Sequence, residues 1–189
     1  LKPSALKPID WKIPGDLSSA AFWIVAATLI PGSHLIIKEV GVNPTRTAVI
    51  DLLIQMGANI QLHRTEAFEP IADIEVKFAP LTGIHIPSKF TALAIDEFPI
   101  LLIAAAFANG ETFLEDGQEL RVKESDRLYA MASNLQRCGI KTQLVGDTLR
   151  IQGGGFKAAP IETFGDHRVA MAFAIAARVA HQSISLDQS

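Results

Sequence analysis

The chain has 189 residues, 49% of them apolar and 20% charged, enough to bury one good-sized core or two small ones in a globular protein. A net charge of −3 with no long basic run excludes an electrostatic draw to nucleic acid or to an acidic membrane, so any anion must be met locally. Cys138 is the single cysteine, which excludes an internal disulfide; with no ligands at suitable spacing around it, no structural metal is expected, and the compartment reads as reducing.

The opening "LKPSALKPIDWKIPG" is rich in proline and lysine and lacks helical periodicity. It reads as a connector, or a strand remnant of a preceding domain, over residues 1–14, with a boundary near Pro14 and Gly15. It has neither the basic nor the apolar region of a signal peptide and no initiator Met, so the chain reads as cut from something longer or incompletely observed.

A first helix is expected over 17–30, with Asp16 or Ser18 as N-cap, Ser19 as a further capping residue and Pro31-Gly32 as the stop. "HLIIKEV" follows as a strand. In "GVNPTRTAVIDLLIQMGANIQL", Asn43 is the expected cap, Pro44 the first helical residue and Gly57 the stop, before another strand. The order then returns: "DEFPILLIAAAFANG" as helix, "ETFLED" as strand, "KESDRLYAMASNLQRCG" as helix, and "IKTQLV" and "TLRIQG" as strands around Gly146-Asp147.

A third round starts with "GDHRVAMAFAIAARVA" as helix and "SISLD" as strand. Units of roughly 70 to 80 residues are longer than solenoid rungs, so each reads as an α/β subdomain with its apolar helices inside and its sheet outside. The runs "AAFWIVAATLI" and "FPILLIAAAFA" are shorter than the roughly 20 residues that span a bilayer and read as buried helices. "GGGF" at Gly153 to Phe156 has neither a P-loop ending nor a dinucleotide fingerprint and reads as a flexible connection. Cys138, at a helix end, reads as a small buried apolar residue.

"ELRVKESDRL" sets six charged side chains in ten residues at a helix start. Cations at a helix N-terminus oppose the dipole unless an anion is bound there. With a helix beginning near Lys123, Lys123 and Arg127 stand one turn apart on one face, beside Glu124. The alternative is a set of exposed ion pairs among Glu119, Arg121, Lys123, Glu124, Asp126 and Arg127, with Ser125 or Asp126 merely capping the helix. "GDHR" repeats the pattern, with Asp166 as cap, Arg168 projecting as an anion binder and His167 as either an acid-base group or a structural residue. In "IDEFP", Asp96 and Glu97 either complement the dipole or serve chemistry: Asp96 as acceptor of a hydroxyl proton, with Glu124 exchanging a proton at carbon. Arg46 occupies a similar helix start, without such carboxylates, and reads as a surface or hinge contact.

"DEFP", "RVKESDRL" and "GDHRVAM", in this order, with "PGDLSSAAF" and "NPTRT", resemble the 5-enolpyruvylshikimate-3-phosphate synthase family in its bacterial form, from about Gly15 onward. The resemblance implies the enolpyruvyl transferase fold: an inside-out α/β barrel of repeated α/β subdomains in pseudo-threefold arrangement, with the third repeat incomplete here and residues 15–189 as the carboxy-terminal domain. It implies transfer of the enolpyruvyl group of phosphoenolpyruvate to the 5-hydroxyl of shikimate-3-phosphate, through a tetrahedral intermediate and with release of phosphate. No metal or cofactor is implied. By motif, Asp96, Lys123 and Glu124 are catalytic, Asp96 and Lys123 also contact shikimate-3-phosphate, and Arg127 and Arg168 hold phosphoenolpyruvate.

The implied enzyme is a cytoplasmic monomer that closes on its substrates with an amino-terminal domain, whose lysine, serine and arginine set has no counterpart here. A family lysine near the carboxyl terminus falls beyond Ser189, and the fragment alone is expected to be inactive. Glu119 stands where many relatives carry Asn, which leaves a substrate contact there open, and His167 is a secondary candidate. The related transferase acting on UDP-N-acetylglucosamine and a non-catalytic ligand-binding or assembly domain of the same fold are the rival readings. "KESDR" with "GDHR" favours the shikimate branch, and Asp96 with Glu124 speaks against mere anion capture. RNA terminal-phosphate cyclases share part of the repeat but not the acidic balance.

Overall fold

The computed structural model describes residues 13–65 and 69–187, together with Pro8 and Asp10, so most of the expected connector lies outside the described residues. Helix α1, Leu17–Leu29, starts where Asp16 accepts hydrogen bonds from the amides of Ser18 and Ser19, and ends before Pro31-Gly32. Strand β1, His34–Gly41, leads to α2, Ala48–Gln55, then β2, Asn59–Thr65, and β3, Ile71–Lys77.

Helix α2 is shorter than the pattern predicts. The Asn43 side chain accepts from both the amide and the hydroxyl of Thr45, a local turn that competes with helix, so the helix starts at Ala48 rather than at Pro44. Strand β3 adds a strand to the expected helix–strand–helix–strand order, and its inward residues Ala72, Ile74 and Val76 are buried.

The second unit comprises β4, His85–Ile86, the short α3, Lys89–Leu93, then α4, Phe98–Phe107, and β5, Glu111–Leu114. A 3₁₀ turn, Gln118–Val122, precedes α5, Arg127–Arg137, and the hairpin of β6, Lys141–Val145, with β7, Thr148–Gln152. Helix α6, His167–Val179, opens the third round. The "SISLD" segment forms only an isolated bridge between Ile161 and Leu186, not a strand. β1 and β5 each pair with the last strand of their own unit, and 184–187 has no such neighbour among the described residues.

The repeat is visible in the sheets. One sheet runs β1-β3-β2 and the other β4-β5-β7-β6, so β5, β7 and β6 repeat the order of β1, β3 and β2, with β4 added beside β5. Among the described residues the two sheets remain separate and no closed barrel forms. The helices α1, α4 and α6 pack against one another between them. α4 is buried from Phe98 to Ala106, as a helix apolar on every side must be, and each large side chain there contributes about 1.5–3 kcal/mol by leaving water.

Gly153 is not a flexible link. A Cβ there would stand 2.0 Å from the Ala108 carbonyl oxygen at the end of α4, and the Gly153 amide donates to the Gly110 carbonyl, so this backbone is packed tightly against the helix end. Cys138 is buried, as expected.

Candidate active site

The starts of α1, α4 and α6 meet at one end of the helical core, as contacts from Ser18 to Glu97 and from Arg168 to Asp96 show. Asp16 caps α1. Asp166 caps α6 by accepting from the amides of Arg168 and Val169. α4 differs: Glu97 holds its cap position but makes no side-chain cap bond.

The start of α5 lies beside them. Asp126 caps this helix through the Tyr129 amide and holds Arg121, which also binds Asp147 and the Gly146 carbonyl. With Asp126 capping and its backbone non-helical, α5 cannot extend back to Lys123. Lys123 is therefore exposed at the end of the 3₁₀ turn instead of one helical turn before Arg127. It still adds its charge near Asp96.

Arg127 is the centre of the cluster. It is 1% exposed, although the sequence allows it a solvent-facing role. Its Nε donates to Asp166 Oδ2 at 2.8 Å, its Nη1 to Asp96 Oδ1 at 3.0 Å, and its Nη2 to Glu124. Ser125 Oγ joins the same Asp166 oxygen at 3.2 Å, so this serine serves the cluster rather than its own helix end. A guanidinium has five N–H donors, and all three of its nitrogens are engaged by carboxylates here.

Arg168 completes the group. Its Nη1 donates to the Asp96 backbone carbonyl at 3.0 Å and its Nη2 lies 3.8 Å from Asp96 Oδ2. Its Nε is buried and has no partner among the described residues. A buried N–H without an acceptor is costly and is the kind of group an incoming oxygen satisfies.

Electrostatics set the carboxylates apart. Burial pushes the Asp96 carboxyl up, but the Arg127 hydrogen bond and the charges of Arg168, Arg127 and Lys123 outweigh it and hold the group below its ordinary value. Asp166, fully buried, follows the same pattern, lowered chiefly by its hydrogen bond from Arg127. Both are ionised at neutral pH. Glu97 goes the other way: burial raises its carboxyl despite the Ser18 hydrogen bond and the Arg46 charge.

Asp96, Glu124, Arg127 and Arg168 thus come together, with Lys123 at the edge. Glu119 is exposed in the 3₁₀ turn, and His167 is exposed at the first position of α6; neither bonds to the cluster. Two features escape local reading. Asp166 is a buried ion-pair partner as well as a cap, and Arg46 donates from Nη2 to Ser18 Oγ at 2.9 Å while lying 4.0 Å from Glu97, so it is more than a surface contact. The signal for Arg46 is its placement ahead of α2, the helix that follows α1, as Arg127 heads α5, the helix that follows α4. No group of three or more His, Cys, Asp or Glu among the described residues is arranged to hold a metal ion, and no helix among them is long and apolar enough to cross a membrane.

Residues 2–189 match the family model described as EPSP synthase (3-phosphoshikimate 1-carboxyvinyltransferase). The chain is 55% identical over 177 residues to a 3-phosphoshikimate 1-carboxyvinyltransferase of Coxiella burnetii, covering 93% of this chain and 40% of that protein. It is 47% identical over 176 residues to one of Legionella pneumophila, covering 92% and 41%. Among solved structures, an EPSP synthase from Acinetobacter baumannii superposes with a TM-score of 0.87 at 44% identity, over 93% of this chain and 42% of that one. The enolpyruvyl transferase NikO from Streptomyces tendae superposes at 0.69 with 20% identity, over 95% and 39%, a likeness of fold alone. The chain spans about two-fifths of the length of the curated relatives it matches.

Proposed function

The chain belongs to the EPSP synthase family, and from that membership we propose that it works as the carboxy-terminal domain, residues 15–189, of an enzyme that transfers the enolpyruvyl group of phosphoenolpyruvate to the 5-hydroxyl of shikimate-3-phosphate. The observation that carries this reading is the Arg127–Arg168 pair around Asp96, with a buried Nε on Arg168 that has no partner among the described residues. Such forks suit the carboxylate and phosphate of phosphoenolpyruvate.

In the proposed reaction Glu124 delivers a proton to the methylene carbon of phosphoenolpyruvate while the substrate hydroxyl attacks the neighbouring carbon. Asp96 accepts the hydroxyl proton, and Lys123 assists its passage to the departing phosphate. The tetrahedral adduct then loses the methyl proton to Glu124 and expels phosphate, restoring the double bond. Asp96 is ionised at neutral pH before the reaction, which leaves it free to accept that proton. Glu124 is half exposed, open to the substrate side. The reaction needs no metal or organic cofactor.

Charge balance supports a half-site. Asp96, Glu124 and Asp166 set three negative charges against the three positive charges of Lys123, Arg127 and Arg168, so the cluster alone has no surplus to neutralise two anionic substrates. The further cations belong to an amino-terminal domain that closes over this face, with residues 1–14 as connector, in a monomeric cytoplasmic enzyme. His167 is a secondary contact at the rim, and Glu119 lies outside the reacting cluster.

A coupled phosphate-release assay tests this. A two-domain form carrying this chain should turn over phosphoenolpyruvate and shikimate-3-phosphate, whereas the 189-residue chain alone should release no phosphate above background. Robust turnover by the chain alone would sink the half-site reading.

A further inference from the structure

The reaction scheme leaves one buried carboxylate idle: Glu97, which lies between Asp96 and the first residue of α4 and is 3% exposed. Ser18 Oγ donates to Glu97 Oε1, and Arg46 Nη2 donates to that same hydroxyl. Glu97 makes no cap bond to α4, and burying a carboxylate without purpose costs more than burying an apolar side chain of the same size.

The same construction occurs one unit later. Arg127, at the head of α5, reaches Asp96 at the start of its own central helix and Asp166 at the cap position of the next one, α6. Arg46, in the turn leading into α2, reaches Ser18 at the start of its own central helix, α1, and lies within 4.0 Å of Glu97 at the cap position of the next one, α4. The two clusters meet in one dipeptide, Asp96-Glu97. A third tie comes from Arg168, which donates to the Asp96 carbonyl.

We infer that Glu97, anchored by Ser18 and Arg46, is a positioning residue: it fixes the Asp96-Glu97 turn and thereby aims the Asp96 carboxylate at the reacting hydroxyl. The second half of that statement rests on the reading of Asp96 as proton acceptor. The anchoring itself does not.

Two substitutions separate anchoring from charge. Glu97→Gln keeps the volume and the oxygen that accepts from Ser18, while Glu97→Ala removes both; each removes the carboxylate charge equally. The Asp96 carboxyl, faced by Arg127, Arg168, Lys123, Glu124 and Glu97, is then titrated by carbon-detected NMR in this chain. Its midpoint should stay low in Glu97→Gln and rise by about half a unit or more in Glu97→Ala, as the turn slackens away from Arg127. Ser18→Ala, which changes no charge, should move it in the same direction. An Ala variant that titrates like the Gln variant overturns the proposal. If Glu97→Ala does not fold, an unmoved Asp96 midpoint in Ser18→Ala overturns it instead.

In the two-domain enzyme, Glu97→Gln should keep kcat within about twofold, and Glu97→Ala should lower it about tenfold with the KM for phosphoenolpyruvate within about threefold. A loss confined to KM, or one that follows only the fraction folded, overturns the positioning role. An inactive unsubstituted two-domain enzyme would count against the synthase reading and leave the titration result standing.

Discussion

On the outward face of the first sheet one carboxylate is ringed by three donors, while at the helix starts one arginine is ringed by three carboxylates. Glu75 of β3 meets His34 of β1 at 2.8 Å, His63 of β2 at 2.9 Å and Lys77 at 2.8 Å, with Lys38–Asp73 at 2.7 Å alongside. Arg127 meets Asp166, Asp96 and Glu124. The two networks use the same chemistry in different surroundings. Around Glu75 the partners reach into water and can let go cheaply, whereas Arg127 and Asp166 have left water altogether and depend on each other. The difference teaches that burial, not the number of ion pairs, turns charge into a committed site.

Breaking the buried network should have the largest effect. Asp166→Ala strands the Arg127 charge and removes the α6 cap, and should lower unfolding free energy by about 3–5 kcal/mol in a denaturant titration. If the loss is no more than that of an ordinary cap, about 1 kcal/mol, burial does not set the two networks apart.

Arg168→Ala removes a cation whose fork is only partly used by the protein. In the two-domain enzyme it should cost about 100-fold in kcat/KM for phosphoenolpyruvate, with a change in stability of about 1 kcal/mol or less. Unchanged kinetics with a lowered Tm would place Arg168 with the structural ion pairs.

The outer network should show itself through acid and salt. Hydrogen bonds from Lys77, His63 and His34 hold the Glu75 carboxyl down at about 2, from an ordinary 4.5. The folded value lies below the unfolded one, so the stability it confers is present above pH 4.5 and is lost as pH falls toward 2. Glu75→Gln should flatten the unfolding curve in that window and change little at pH 7 in about 1 M salt, where exposed charges are screened over about 3 Å. Asp166 and Asp96 are also depressed, so their share of the acid loss should persist in high salt. An acid transition that salt abolishes entirely would erase the contrast.

Much of the helical frame was legible locally. Asp16 and Asp166 cap as their motifs indicate, α4 is buried as its unbroken apolar run requires, and the unit order recurs in both sheets. Local competition misled the pattern in two places. Asn43 turns the backbone on itself before α2, and Asp126 stops α5 short of Lys123, so residues that share a face on paper lie on different elements. The motifs gathered the right residues for the site but not their geometry. Arg127 reads equally well as a solvated ion pair until its burial is known.

The amino-acid sequence by itself determined the caps, the apolar helices, the repeated unit and the family, because these rest on side chains within a few residues of one another or on motifs in fixed order. Only the tertiary structure decided which charges meet. Ser18 and Glu97 are 79 residues apart, and Arg127 and Asp166 are 39 apart. What joins them is the packing of α1, α4 and α6 with their starts at one end, and no local preference of the chain specifies that distance.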